Sequence, residues 1–255
     1  MTLTTCPTGS GKTTTLYAFL KKVHSSDVKI ITIEDPIEYH LPGIVQTQVN
    51  DKGYTFLEGL RAAVRQDPDI IMVGEIRDNE TADIAINSAL TGHLVFSTIH
   101  TNDAAGTFPR LIELGVNPRI IPSALRVAMA QRLVRKLCKD CKKEVILEGE
   151  IKKQIEDIAA SIEDRSLVPE DRSKMWVAVG CDKCNKTGYK GRLGIYEAIL
   201  MTREIEMVVQ KNSSDREIWD AAKGQGIPTM KQDGIIKILM GITSLEELAR
   251  VISLT

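Results

Sequence analysis

Four short runs rich in apolar and β-branched residues stop abruptly at polar clusters, and that rhythm restricts the chain to a narrow set of folds. The runs are residues 2–5 (TLTT), 28–33 (VKIITI), 70–73 (IIMV) and 94–98 (LVFST). The clusters at their ends are CPTGSGKT, EDPIEY, GEIRD and STIHTND. Between the runs, apolar residues recur at helical spacing. Leu16, Phe19, Leu20 and Val23 mark a helix expected over about 12–24, and Phe56, Leu60, Ala63 and Val64 mark a second after a turn at 51–53. A third is expected over 81–90, ended by Gly92. Strands alternating with helices predict a parallel sheet covered by helices on both faces. Ligands of such sheets bind outside the carboxyl ends of the strands. The four clusters are therefore expected along one edge.

The first cluster is almost a phosphate-binding loop. The pattern G-x-x-x-x-G-K-[ST] is met by Pro7, Thr8, Gly9, Ser10, Gly11, Lys12 and Thr13, followed by Thr14, but Cys6 stands where the first glycine is usual. Backbone N–H groups of such a loop, aimed by the helix that follows, cradle phosphate oxygens. Lys12 reaches the terminal phosphates and the Thr13 hydroxyl ligates Mg²⁺ in this reading, with ATP as the nucleotide. A thiol is small, so phosphate binding is expected to survive at Cys6. The alternative is a Gly-Ser turn that happens to precede Lys-Thr.

The other clusters supply acids, imidazoles and guanidinium groups. Glu75 comes two residues after the strand at 70–73, displaced by one from the usual metal-binding acid, and suits a general base for an attacking water. Glu34, Asp35 and Glu38 follow the strand before it, and two of them are expected to share Mg²⁺ through waters. His93 and His100 bracket the strand at 94–98, and either is a candidate contact to a γ-phosphate. Arg61, Arg65, Arg77 and Arg110 are expected near the same edge, where phosphoryl transfer needs positive charge. Each also has an ordinary structural reading: a surface Glu, an Asx-Pro turn, a structural His.

Past residue 137 the texture changes. Cys138 and Cys141 form one C-x-x-C pair, Cys181 and Cys184 a second, with thirty-nine residues between them. Two such knuckles close a tetrahedral four-thiolate zinc site, which is structural because no ligand position stays open. The spacer carries a helix with Ile151, Ile155, Ile158 and Ile162 in register. The remainder after Tyr196 reads as helical, and Ser214-x-x-Glu217 and Ser244-x-x-Glu247 have capping-box spacing. The expected division is a nucleotide-binding core over 1–136, a zinc subdomain over 137–195 and a helical region over 196–255.

Composition narrows the function. Thirty-three basic residues oppose thirty-four acidic ones, and aromatic residues make up 4%, so nothing favours a nucleic-acid partner. No apolar run approaches the roughly 18 residues of a membrane span. No basic segment followed by an apolar core marks a signal peptide. Paired cysteines beside a nucleotide motif point to metal in a reducing compartment, the cytoplasm, rather than to disulfides.

Together the residues CPTGSGKTTTLY, ITIEDPIEY, LRAAVRQDPDIIMVGEIRD, TGHLVFSTIHTNDAA, AQRLVRKLC, the four cysteines and GYKGRLGIYEAIL resemble the secretion ATPase superfamily. The likeness is greatest to assembly ATPases of type IV pili and their type II secretion counterparts. It implies a RecA-like core, Glu75 as catalytic carboxylate in an atypical Walker B motif, and His100 as a γ-phosphate contact. It implies that Arg61, Arg65, Arg77 and Arg110 serve nucleotide handling or subunit contacts. It further implies a homo-hexamer at the inner face of the cytoplasmic membrane, acting on an inner-membrane platform protein. The four cysteines favour an assembly or export motor over a retraction motor. Family members carry an upstream domain that the chain lacks, so a truncated chain of low turnover is expected. The other readings are a nucleotide-binding but inert subunit, a zinc module on nucleic acid, and a DNA translocase.

Overall fold

All four expected strands form and lie side by side. The computed structural model describes residues 1–5, 9–50, 52–212 and 214–254. Its strands are β1 (Thr2–Thr5), β2 (Ile30–Glu34), β3 (Val45–Gln48), β4 (Ile70–Val73), β5 (Leu94–Ile99), β6 (Val127–Leu137), β7 (Lys143–Ile146), β8 (Lys174–Val177) and β9 (Tyr189–Leu200). Seven of them form one sheet in the order β3-β2-β4-β5-β1-β6-β9. The pairs β3–β2, β2–β4, β4–β5, β5–β1 and β1–β6 are all parallel. Strands β2 and β4 are buried along their whole length, which is why β4 reads as an unbroken apolar run without alternation.

Contacts gather the chain into two compact units, Met1–Ala130 with Ala198–Gln225, and Gln131–Glu197 with Gly226–Thr255. The chain returns to the first unit after residue 197. In the first unit, α1 (Lys12–Val23), α2 (Phe56–Val64), α3 (Asn79–Leu90), α4 (Thr107–Glu113) and the short α5 (Ile121–Ala124) connect the strands. Thr55 caps α2 by accepting from the Glu58 N–H, and Asp78 caps α3 by accepting from the Thr81 N–H, each bond stabilising its helix by about 1 kcal/mol. Leu16, Tyr17 and Leu20 of α1 pack with Ile30, Ile70, Met72 and Phe96 of the sheet, with Phe19 and Val23 at the margin of that cluster. Burial of each Leu or Ile there contributes about 1.5–3 kcal/mol.

The second unit holds the antiparallel pair β7–β8 and the helices α6 (Gly149–Ala160), α9 (Met230–Leu239) and α10 (Leu245–Val251). In α6 the buried side is Ile155 and Ala159, with Ile162 just beyond the helix, whereas Ile151 is exposed. Residues 197–200, expected to be helical, instead end β9, in which Ile195, Glu197 and Ile199 are buried at every second position. Helices resume at α7 (Arg203–Val209) and α8 (Asp215–Ala222), both in the first unit.

The two expected capping boxes fare differently. Ser214 and Glu217 make both reciprocal bonds at the start of α8. At α10, Ser244 accepts from the Glu247 N–H at 3.2 Å, but the Glu247 carboxylate turns elsewhere. It is fully buried and accepts from the Arg135 N–H, Nε and Nη2 at 2.9, 2.9 and 2.7 Å, and from Arg250 Nε and Nη2 at 3.0 and 2.8 Å. Burial alone would raise its pKa; the bonds from Arg250 and Arg135 outweigh that and bring it down to about 2. A depressed carboxylate stabilises the fold above its unfolded pKa, and that stability is lost as pH falls through the folded value. Glu247→Gln is therefore expected to cost about 2–3 kcal/mol at pH 7. In urea titrations the gap between variant and parent should close as the pH is lowered from about 5 to 2.

Candidate functional site

The carboxyl ends of β2, β4, β5 and β1 succeed one another along the sheet, and short bonds fix them in step. The Gly74 N–H donates to Ile33 O at 2.7 Å and the Ile76 N–H to Thr98 O at 2.9 Å. Thr98 Oγ1 returns a bond to Gly74 O at 2.7 Å. On the other side of β5, the Thr101 N–H donates to Thr5 Oγ1 at 2.8 Å, tying the residue after His100 to the last residue of β1. A Cβ at Gly74 would lie 3.2 Å from both Ile33 O and the Phe56 ring. Glycine there lets the strand turn and present Glu75 between its neighbours.

Glu75 is nearly buried, its side chain 11% exposed, and both of its oxygens are engaged. His100 Nε2 contacts Oε1, and Arg77 Nε donates to Oε2 at 2.6 Å. The same guanidinium group lies 4.0 Å from Asp35 Oδ2 and faces the Phe56 ring at 5.9 Å. Lys12 Nζ stands 3.5 Å from His100 Nδ1. An ammonium group has hydrogens to give and no lone pair, so Nδ1 is the acceptor and Nε2 carries the hydrogen donated to Glu75. One chain of contacts thus runs Lys12, His100, Glu75, Arg77, Asp35. Each carboxylate oxygen of Glu75 keeps a second lone pair that can accept a proton from water.

Lys12 opens α1 directly after Gly11, whose φ of 88° places it in the left-handed region as the helix N-cap. Gly9 has φ 79°, and among the described residues nothing lies within 4 Å of the place a Cβ would take. This open, glycine-built turn at the N-terminus of a 12-residue helix has the shape and polarity of an anion cradle. Cys6, Pro7 and Thr8 lie outside the described residues. Thr13 and Thr14 occupy the first turn of α1.

Glu34 stands differently from Asp35. It is 2% exposed, and its carboxylate accepts from Tyr17 Oη, Thr32 Oγ1 and Gln46 Nε2, the last two at 2.6 and 2.9 Å. Asp35 is the acid that reaches the edge, while Glu38 is exposed in the following loop.

In the second unit, the sulfurs of Cys138, Cys141, Cys181 and Cys184 lie within 4.8 Å of one another. The pairs 138–181, 141–184 and 181–184 are 3.9, 3.8 and 3.7 Å apart. A tetrahedral ion with metal–sulfur bonds of about 2.3 Å needs sulfurs about 3.8 Å apart, so the group fits one such ion. Burial pushes the Cys141 thiol up to about 12. Burial acts the same way on Cys184, but the N–H groups of Cys181 and Gly188 bonded to its sulfur outweigh it and bring that thiol down to about 6. Asp140 and Lys183, one from each knuckle, pair at 2.6 Å.

A family model described as Type II/IV secretion system protein matches residues 1–250. The chain belongs to that family. It is 48% identical over 250 residues to type II secretion system protein E of Aeromonas hydrophila, covering 98% of this chain and 48% of that one. It is 48% identical over 252 residues to the type IV pilus assembly ATPase PilB of Thermus thermophilus, covering 98% and 27%. The chain thus spans about half, or less, of the length of these curated relatives. Among solved structures, the pilus retraction motor PilT with bound ADP superposes with a TM-score of 0.68 at 27% identity, covering 98% of this chain and 60% of that one. The ATPase DotB of Yersinia pseudotuberculosis superposes at 0.69 with 20% identity, covering 100% and 57%, which bears on the fold alone. The expected RecA-like α/β core is borne out.

Several residues singled out from the sequence of this secretion-family chain have partners or positions other than the contact chain around Glu75. His93 precedes β5 and so sits at the opposite end of that strand from His100. Its Nδ1 is 3.0 Å from Ser88 O, where it closes the end of α3. Arg61 on α2 lies 3.9 Å from Glu80, and Arg110 on α4 pairs with Glu113 at 2.9 Å. Arg65 is the C-cap of α2. Arg77 alone of the four expected arginines bonds to Glu75. Tyr17, Thr32 and Gln46 were not foreseen at all. Nothing in the sequence distinguishes Tyr17 from another apolar residue of its helix, and Gln46 lies on a polar strand without apolar pattern.

Proposed function

We propose that this chain is the ATP-hydrolysing part of a motor that drives type II secretion or type IV pilus assembly. The observation that carries the reading is the contact chain Lys12, His100, Glu75, Arg77, Asp35 beside an open glycine turn. The backbone of Gly9, Ser10 and Gly11 and the N-terminus of α1 receive the phosphates, and Lys12 neutralises their outer charge. Thr13 and Asp35 would hold Mg²⁺, which when bound supplies charge neutralisation on the phosphate oxygens. Glu75 accepts a proton from the attacking water, and His100 keeps that carboxylate turned toward Lys12. Arg77 orients the second oxygen of Glu75. Cys138, Cys141, Cys181 and Cys184 would hold Zn²⁺ in a closed structural site. Support for an ATPase comes from relatives so named and from the ADP bound to PilT.

Among the described residues no helix is long and apolar enough to cross a membrane. The motor is read as a homo-hexamer on the cytoplasmic face of the inner membrane, pushing a platform protein there. Replacing Lys12 by alanine is expected to weaken MgATP binding roughly 10–100-fold, the loss of one charge-assisted bond. Calorimetry with a nonhydrolysable ATP analogue measures this. Equal affinity in the two proteins, or phosphate release only when DNA is added, would overturn the reading.

A further inference from the structure

The last acid of β2 is held from below by three uncharged donors on three different elements. Tyr17 comes from α1, Thr32 from β2 itself and Gln46 from β3. Gln46 is fixed in turn, its carbonyl oxygen accepting from the Leu41 N–H at 2.6 Å. Tyr17 is fully buried, and the Tyr39 ring meets it edge-on at 4.6 Å and 80°. Burial raises the Tyr17 hydroxyl above its ordinary range, and the bond to Glu34 adds to the rise, so the hydroxyl keeps its proton and donates. A carboxylate held by three donors in this way does not turn to the sheet edge. It fixes instead the backbone from which the next residue, Asp35, projects.

Tyr17 is five residues along α1 from Lys12, about 7.5 Å of helix rise. The helix that begins with Lys12 is therefore bolted to the strand end that carries Asp35. We infer that Tyr17 is a positioning residue which, through Glu34, sets the spacing between Lys12 and Asp35, and hence between the nucleotide's phosphates and their Mg²⁺. The inference rests on the nucleotide reading above. Misplacement of a site group by about 1 Å is enough to cost orders of magnitude in function.

The test is binding of a nonhydrolysable ATP analogue, titrated with Mg²⁺ and separately in EDTA, to the parent, Tyr17→Phe and Glu34→Gln. In EDTA the affinities should agree within about twofold. With metal, the Mg²⁺ concentration at half-effect should rise roughly tenfold in each variant. The double variant should be no worse than Glu34→Gln alone, because Tyr17 acts through that carboxylate. Gln46→Met, which removes a different donor to the same carboxylate, should shift the midpoint in the same direction, and decides the matter should Tyr17→Phe not fold. A purely structural network would lower Tm and leave the Mg²⁺ midpoint where it was, which overturns the inference alone. A parent protein that binds no nucleotide overturns the reading of the site, and this inference with it.

Discussion

Glu75→Gln is expected to lower ATP turnover by roughly 10²–10⁴-fold, the usual contribution of a positioned general base. Affinity for MgATP should stay within a few-fold, since phosphate contact is assigned to the glycine turn and Lys12. The amide cannot satisfy both present partners. His100 Nε2 and Arg77 Nε each bring a hydrogen to a different oxygen of Glu75. A Gln amide offers one oxygen and one NH₂, so one donor faces another donor. Glu75→Asp keeps the charge and withdraws it by one methylene, and should leave turnover between the parent and the Gln variant. Single-turnover phosphate release, with analogue binding measured alongside, separates the two steps. Undiminished hydrolysis in the Gln variant would remove Glu75 from the chemistry.

The second large effect is expected at the four thiols. Structural zinc in small domains carries about 10–16 kcal/mol of apparent binding energy, far more than any one contact in the second unit supplies. Cys138→Ser or Cys181→Ser should abolish stoichiometric zinc, and a strong chelator should do the same to the parent. Hydrogen exchange should then lose its protection across 138–188 while the sheet of the first unit keeps its own. Thiols must give up protons to bind metal, and burial pushes the Cys141 thiol up to about 12. Zinc uptake should accordingly release protons and weaken as pH falls. A chain that stays fully protected with no zinc and four titratable thiols would refute the metal assignment.

Buried parallel strands were the most legible part of the fold. The runs TLTT and IIMV are strands with the expected bounds, because both faces are covered and every residue is apolar or β-branched. β3, with the sequence VQTQ, lies at one edge of the sheet and carries no apolar pattern to find. β6 runs eleven residues through Arg132, Arg135 and Lys136, where the long strand interrupts any simple alternation. At the site, Lys12, Glu75 and His100 were visible because each follows a strand. His93 precedes one, so strand direction already excluded it from the edge. Glu34 and Asp35 were indistinguishable as neighbouring acids. Only packing shows that one is buried against α1 and the other faces Arg77.

The thirty-nine residues between Cys141 and Cys181 leave and rejoin the chain at almost the same point, since the sulfurs at their two ends are within 4.8 Å. A segment cinched at its neck is insulated from changes in its own length. Insertions and deletions between Val168 and Ser173, where Glu170, Asp171 and Arg172 are exposed, need not propagate past the sulfur knot. That stretch is the natural place to graft a fluorophore or an affinity tag without disturbing the parallel sheet.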